Sequence, residues 1–227
     1  MSPGPASSLD PRARRALETV LGLLAEERAS VSSVTDPARA WKVHVADSLT
    51  GLEVEALREA FKIADIGSGA GFPGLVLAVA LPDAQVDLIE SVARKCDFIQ
   101  RAIDAAGIAN ARVLNLRSEE LAGAEGRESY DAVTARAVGR LSTLAELASP
   151  LLEEGGTLIA WKGKRDPDEE AQLGNAAAQL AMQPDQILSV GPYAGSEHRH
   201  LHVIRKSGPT PPKLPRRAGM AKKRPFG

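Results

Sequence analysis

The stretch Ala64-Asp65-Ile66-Gly67-Ser68-Gly69-Ala70-Gly71-Phe72-Pro73-Gly74 holds the densest chemistry in this 227-residue chain. An apolar run from Phe61 to Ile66 carries a carboxylate at its end, and four glycines follow within eight residues. Glycine lets a backbone turn sharply and approach a ligand with no Cβ in the way. Pro73 suits a first helical turn, where its missing N–H costs nothing. The apolar run Leu75–Leu81 then reads as a helix whose unpaired N–H groups and positive end could face a ligand. The spacing Gly69-x-Gly71-x-x-Gly74 matches a dinucleotide fingerprint, which is a weak signal alone. A purely structural turn between strand and helix fits it as well.

The next strands add polar ends. Glu90 closes the second strand 23 residues after Gly67, near the spacing of about 20 at which an acid meets ribose hydroxyls. It could equally be an acid favouring a helix N-terminus. Arg117-Ser118-Glu119-Glu120 follows the third strand, placed to meet an adenine edge or to act as a plain capping box. Arg136 ends the fourth strand; its guanidinium could hold a carboxylate or a guanine O6 edge, or pair with Asp65 or Glu119. Together Asp65, Glu90 and Glu119 make the pocket acidic. That suits a ligand with a positive centre and no phosphate, S-adenosylmethionine rather than NAD.

Outside the pocket, His44 and Asp47 stand three apart and share a face if that segment is helical, either as a lid or as a solvated pair. Lys162-Gly163-Lys164-Arg165 could track phosphates or form a solvated loop. His198, His200 and His202 alternate, but nothing nearby completes a ligand set, so no metal is expected. Cys96 reads as a core filler.

The elements that must position these groups follow from periodicity. A helix starts at Asp10-Pro11 and a second helical region runs through Trp41, Val45, Leu49 and Leu52. Strands are expected at Phe61–Ile66, Gln85–Glu90, Ala111–Leu116, Tyr130–Ala135, Thr157–Trp161, Gln186–Val190 and His200–Arg205. Ser91 is a candidate cap for a helix over Val92–Ala106 stopped by Gly107, and further helices fit Leu141–Leu152 and Asp166–Leu180. This alternation predicts a Rossmann-like α/β fold with a doubly wound, mainly parallel sheet and an N-terminal helical cap. The expected division is a helical extension over 1–60, a core over 61–206 and a basic Pro-rich tail over 207–227. Ligands in such sheets bind beyond the strand C-termini at the topological switch point.

Composition narrows the function. Hydrophobic content of 44% and charged content of 25% are ordinary for a globular protein. One cysteine excludes an internal disulfide and suits a reducing cytoplasm. No run reaches the roughly 20 apolar residues of a membrane span. Aromatic content of 4% argues against a base-stacking platform. The formal charge of −1 hides an asymmetry: eight Lys/Arg and no acid lie between Arg205 and Gly227, leaving 20 basic against 29 acidic residues elsewhere. The tail is therefore the expected polyanion contact, too Pro-rich to fold alone. The first eleven residues are expected to be disordered.

The glycine stretch with its Phe72-Pro73-Gly74 ending, Glu90-Ser91, Arg117-Ser-Glu119-Glu120, Arg136-Ala137 and Lys162-Gly163 resembles the bacterial ribosomal RNA small-subunit methyltransferase G family, also called glucose-inhibited division protein B. The likeness extends to Val34-Thr35-Asp36-Pro37, His44-Val-Ala-Asp47-Ser48-Leu49, Arg199-His200-Leu201 and the tail from Thr210 to Gly219. Where the family has an Asn-Leu-Thr run this chain has Ser30-Val31-Ser32, and His202 replaces a valine. The resemblance implies a seven-stranded class I methyltransferase, a monomer, that uses S-adenosylmethionine to methylate N7 of one guanine in 16S rRNA of the small subunit or its precursor. It places Gly67, Phe72, Ser118, Glu119 and Arg136 on the cofactor; the wider class pattern adds Asp65, Gly69, Gly71 and Glu90. Arg136, Lys162, Asp47 and His44 would serve the reaction. Ser48, Arg94, Lys95, Lys162, Lys213, Arg216 and Arg217 would face RNA. An NAD-dependent oxidoreductase and a nonenzymatic ribosome-assembly factor are the alternatives.

Overall fold

The computed structural model describes residues 9–27, 34 and 36–227. The first eight residues, the Ser30–Ser32 run and Thr35, singled out above, lie outside the described residues. Asp10 accepts from the N–H groups of Arg12 and Ala13 at 2.7 and 2.9 Å, and Pro11 fills the first position of α1 (Pro11–Glu26). This is the N-cap arrangement its sequence predicts. Leu17, Val20, Leu21 and Leu24 recur at helical spacing and are all buried. A second helical stretch changes pitch along its length: α2 (Pro37–Ala40), a π turn (Trp41–Ala46), α3 (Asp47–Leu49) and a 3-10 turn (Thr50–Glu53), before α4 (Glu55–Arg58). The 3-10 turn lies so close to the sheet that a Cβ on Gly51 would fall 2.5 Å from Trp161.

Seven strands follow: β1 (Lys62–Ile66), β2 (Gln85–Ile89), β3 (Ala111–Leu114), β4 (Tyr130–Arg136), β5 (Leu152–Lys162), β6 (Met182–Val190) and β7 (Arg199–Lys206). They form one sheet in the order β3-β2-β1-β4-β5-β7-β6, parallel except where β7 pairs with β5 and β6. The intervening helices are α5 (Gly74–Ala80), α6 (Ala93–Ala106), α7 (Ser118–Ala122), α8 (Leu141–Ala148) and α9 (Pro167–Ala177). Strand side chains alternate between two cores. Ile63, Ala132, Ile159 and Leu201 join a cluster that includes α1, the second helical stretch, α5 and α6. Ala64, Val133, Leu158 and Ile204 join one with α8, α9, Leu214 and Phe226. The N-terminal helices thus share a continuous core with the sheet. The order reverses between β1 and β4, which sets a ligand crevice beyond their C-terminal ends.

Three local expectations are corrected. β5 begins at Leu152 rather than Thr157, with Gly155-Gly156 inside it, Gly155 at φ +87°, where the register against β4 shifts. β6 begins at Met182 rather than Gln186, because Pro184 is tolerated on an edge strand where the ladder already slips. Ser91 does not cap α6: the Val92 N–H is taken by the Glu90 carboxylate at 2.9 Å. Gly107 does end that helix in the left-handed conformation, φ +63°.

The tail is laid along the body and ends in a short helix, α10 (Met220–Lys223). Its entry point is Lys206, whose ammonium is almost fully buried and donates to the Ser149 and Leu152 carbonyls and the Thr210 hydroxyl at 2.6, 3.0 and 2.9 Å. Removing that cation strands three buried acceptors. Lys206→Ala is expected to cost about 3 kcal/mol in urea unfolding at pH 7, whereas Lys164→Ala on the exposed loop should stay within about 0.5 kcal/mol. Equal midpoints for the two variants would contradict this account.

Candidate functional site

Protein acceptors take most donors of the glycine turn. Gly67 and Ser68 N–H groups donate to the Ile89 carbonyl at 2.8 and 3.1 Å, and those of Gly71 and Phe72 to Ser68 at 2.8 and 3.1 Å. Gly69 N–H donates to Glu90 Oε2 at 3.0 Å and Gly74 N–H to Asp65 Oδ2 at 3.1 Å. The N–H groups of Leu75, Val76 and Leu77 point back to Gly71 and Pro73 carbonyls. The expectation of unpaired N–H groups at the start of α5 is therefore corrected, since carbonyls and two carboxylates have taken them. A pyrophosphate held in the manner of a dinucleotide needs such donors free. Here it would also meet two acids.

Asp65, expected on the cofactor, lies under the turn with no exposed surface. It accepts from the Thr134 hydroxyl at 2.9 Å as well as from Gly74. Burial raises its carboxyl to about 6, against the opposing pull of these hydrogen bonds and the Arg136 charge. Gly71 also serves packing: a Cβ there would lie 2.5 Å from Leu75. Glu90 is different. Held by Gly69 and Val92 N–H groups, it sits at the end of β2 on the wall of a cavity of about 410 Å³. Gly67, Ser118 and Glu119 share that wall, with Val138 and Thr143 from beyond β4. Gly67 has φ +66°, and a Cβ on it would fall 2.7 Å from Val138, so bare backbone shapes this corner. Cavity size, an acid at the ribose position and a glycine floor fit S-adenosylmethionine. Glu90 would take the ribose hydroxyls, and Ser118 and Glu119 would meet the adenine. Arg117 N–H donates to Glu120 at 2.8 Å, so the capping role expected as an alternative falls to Glu120 and leaves Glu119 on the wall.

A second cluster forms on the other side of the turn. The Phe72 and His44 rings stack at 4.5 Å and 7°. Arg136 donates to Asp47 Oδ2 at 3.0 Å and to the Val43 carbonyl at 3.1 Å, lies 3.3 Å from His44 Nδ1, and sits over the Phe72 ring. Its ion-pair partner is thus Asp47, not Asp65 or Glu119. Burial and then the Arg136 charge lower His44 to about 4, so it is neutral near pH 7. The π turn carries His44 and hands on to Asp47, whose carbonyl accepts from Trp161 Nε1 at 2.9 Å. Such turns recur where a helix is shaped around a site. Phe72 and Arg136 belong to this side, and neither they nor Gly69 and Gly71 line the cavity.

Several residues expected to face RNA are committed internally. Ser48 has no exposed surface and bonds the His44 carbonyl, and Asp47 is 2% exposed. Lys162 donates to Glu169 at 2.7 Å and to the Gly139 carbonyl at 3.1 Å. Arg216 pairs with Glu146 through both nitrogens at 2.6 Å. Lys213 rests over Phe226. Arg94 and Arg217 are exposed and Lys95 partly so. Cys96 is buried as expected, its thiol against the Glu90 carbonyl. The tail's share of the cavity wall, through Gly219, Ala221, Lys222 and Lys223, was not anticipated. Glu146, the one charged residue within α8, was the available signal.

Sheet order, switch-point cavity and strand-end acids together define a class I Rossmann-like methyltransferase fold. Solved structures agree: a SAM-dependent methyltransferase from Aquifex aeolicus superposes with TM-score 0.55 at 16% identity, covering 74% of this chain and 92% of that one. The fibrillarin pre-rRNA processing protein of Methanococcus jannaschii gives 0.56 at 17%, covering 72% and 74%. Residues 17–201 match the family model described as rRNA small subunit methyltransferase G, and the chain belongs to that family. A ribosomal RNA small subunit methyltransferase G of Rubrobacter xylanophilus is 42% identical over 92% of this chain and 82% of its own length. One of Desulfitobacterium hafniense is 36% identical over 88% and 83%.

The buried carboxylate gives a pH test. Asp65 has its folded value, about 6, above its ordinary 3.8. The native state therefore binds the extra proton, and this group's contribution to stability is full below 3.8 and is lost as pH rises through about 6. Asparagine can still accept from Gly74 while its amide donates to Thr134. Asp65→Asn should thus gain on wild type by about 2–3 kcal/mol between pH 4 and pH 7 in paired urea titrations. A difference independent of pH would refute the assignment.

Proposed function

We propose that this chain transfers a methyl group from S-adenosylmethionine to N7 of a guanine in 16S rRNA of the small ribosomal subunit or its precursor. Family membership supports the rRNA substrate. The observation that carries the cofactor is the turn whose N–H groups are consumed by protein acceptors, two of them carboxylates, beside a cavity with Glu90 and Glu119 on its wall. An NAD-dependent oxidoreductase would need those donors for pyrophosphate.

S-adenosylmethionine supplies an electrophilic methyl on a sulfonium centre. The remaining demands fall on the protein: hold, orient and exclude water. Guanine N7 carries an unprotonated lone pair at neutral pH, so the reaction needs no general base. The second cluster accords with this, since Arg136 and Asp47 neutralise each other and His44 has its Nδ1 beside the Arg136 cation. In this reading His44, backed by the buried Phe72 ring, gives the target base an aromatic surface, and Arg136 offers a donor for its O6 edge. The work is done in the cytoplasm, by a monomer, with 1–60 as a helical extension on the 61–206 catalytic core.

Purified protein with labelled S-adenosylmethionine should place one N7-methylguanosine in 16S rRNA or 30S subunits, mapped by borohydride–aniline cleavage. Label on another atom of the base or on a 2′-hydroxyl would overturn the N7 reading. Gly67→Val should weaken S-adenosylhomocysteine binding by about 100-fold or more, because a branched side chain at positive φ must also displace Val138. Its RNA affinity in filter binding should stay within about twofold; equal loss of both would contradict a separate cofactor cavity.

A further inference from the structure

Nothing in the glycine turn, the strand ends or the family resemblance gives the C-terminal segment a part in the cofactor site. The structure places it there through two hydrogen bonds and its own share of the wall, with two more bonds anchoring it upstream. Gly219 N–H donates to Glu119 Oε1 at 2.7 Å, so the acid on the adenine side of the cavity is oriented by the tail. Thr143 on the cavity wall reaches the Ala221 carbonyl at 3.4 Å. Gly219, Ala221, Lys222 and Lys223 themselves complete the wall. Upstream, Arg127 donates to the Leu214 carbonyl at 3.0 Å, and Thr210 N–H to Glu128 at 2.7 Å.

One side chain holds this arrangement together. Arg216 spans from the body to the tail's own end: its Nε and Nη2 donate to Glu146, which is 3% exposed, Nη2 also donates to the Arg224 carbonyl at 2.7 Å, and Phe226 stacks on the guanidinium at 4.3 Å. A bidentate pair with one partner buried is the strong, directional form of ion pair. Placing Glu146 in an apolar core is costly unless Arg216 stays seated. The segment between Arg216 and Arg224, which carries the wall residues, is thereby pinned at both ends.

We propose that the tail is an integral wall of the S-adenosylmethionine site, enclosing the adenosine moiety, and that Arg216 is the positioning residue that seats it and, through Gly219, sets Glu119. This rests on the cofactor reading above. Arg216 touches no ligand. Its effect on binding comes from preorganising groups that do, which otherwise would be ordered at the ligand's expense.

The test uses the full chain. S-adenosylhomocysteine affinity is measured by calorimetry for wild type, Arg216→Ala and Arg216→Lys. RNA affinity by filter binding is measured alongside, and far-UV circular dichroism checks the fold. Arg216→Ala should weaken S-adenosylhomocysteine by about tenfold or more and leave RNA affinity within about twofold; lysine, a single-point donor, should recover part of the loss. A second measurement needs no variant. The exposed Arg217, Lys222 and Lys223 are trypsin sites, and S-adenosylhomocysteine, but not NAD, should slow cleavage there several-fold. Tight wild-type binding with unchanged Arg216→Ala affinity and no protection of the tail would overturn this proposal alone. Failure of wild type to bind S-adenosylhomocysteine would overturn the cofactor reading and this proposal with it.

Discussion

A carboxylate without solvent holds the two halves of the sheet and the glycine turn in one geometry. Asp65 and Thr134 face each other in the register of β1 and β4, the pair of strands at which the order reverses. The hydroxyl-to-carboxylate bond therefore crosses the switch point itself, and the second oxygen takes the first N–H of α5. Gly74 is glycine because a Cβ would lie 2.9 Å from Asp65 Oδ2 and 2.8 Å from Leu88, a matter of close approach and not of φ. Desolvating the carboxylate opposes folding, as its raised value near 6 records. Its hydrogen bonds return part of that cost and fix where the turn leaves the strand.

The same logic explains why the site is acidic. A loop that binds phosphate keeps its N–H groups open; this one closes them on carbonyls, Asp65 and Glu90. Glu90 braces Gly69, accepts from the Val92 N–H just ahead of α6 and lines the cavity, so its position is fixed by two backbone donors. A cationic, phosphate-free ligand is favoured by charge, and a dinucleotide is disfavoured by geometry.

The fold was legible because its patterns are local. Period-two strands and period-3.6 helices, with Asp10-Pro11, Asp166-Pro167 and Gly107 as punctuation, needed no tertiary information. Glu90, Ser118 and Glu119 were legible from the strand-end rule. What failed depended on distant partners. Arg136 meets Asp47 across 89 residues because a π turn presents that face. Lys162, Ser48 and Arg216 have the residue types of RNA contacts, and in the fold they are engaged by Glu169, the His44 carbonyl and Glu146. The tail was read from composition as unable to fold alone, and it does use the body's groups: Glu119, Glu128, Arg127 and Glu146 are all partners it borrows.

That borrowing reshapes the electrostatics of the proposed RNA contact. Lys206 and Arg216 are spent on the body's interior, and the exposed remainder includes Arg217, Lys222, Lys223 and Arg224. These sit on or beside the segment that walls the cavity, whereas most of the body carries net negative charge and repels a polyanion. Arg94 follows Glu90 by four residues and so lies at the same end of the sheet. On the proposed function, phosphates and cofactor therefore act on one piece of chain. An acidic body with a basic tail is then an arrangement in which exposed cations sit on the segment that completes the cofactor site.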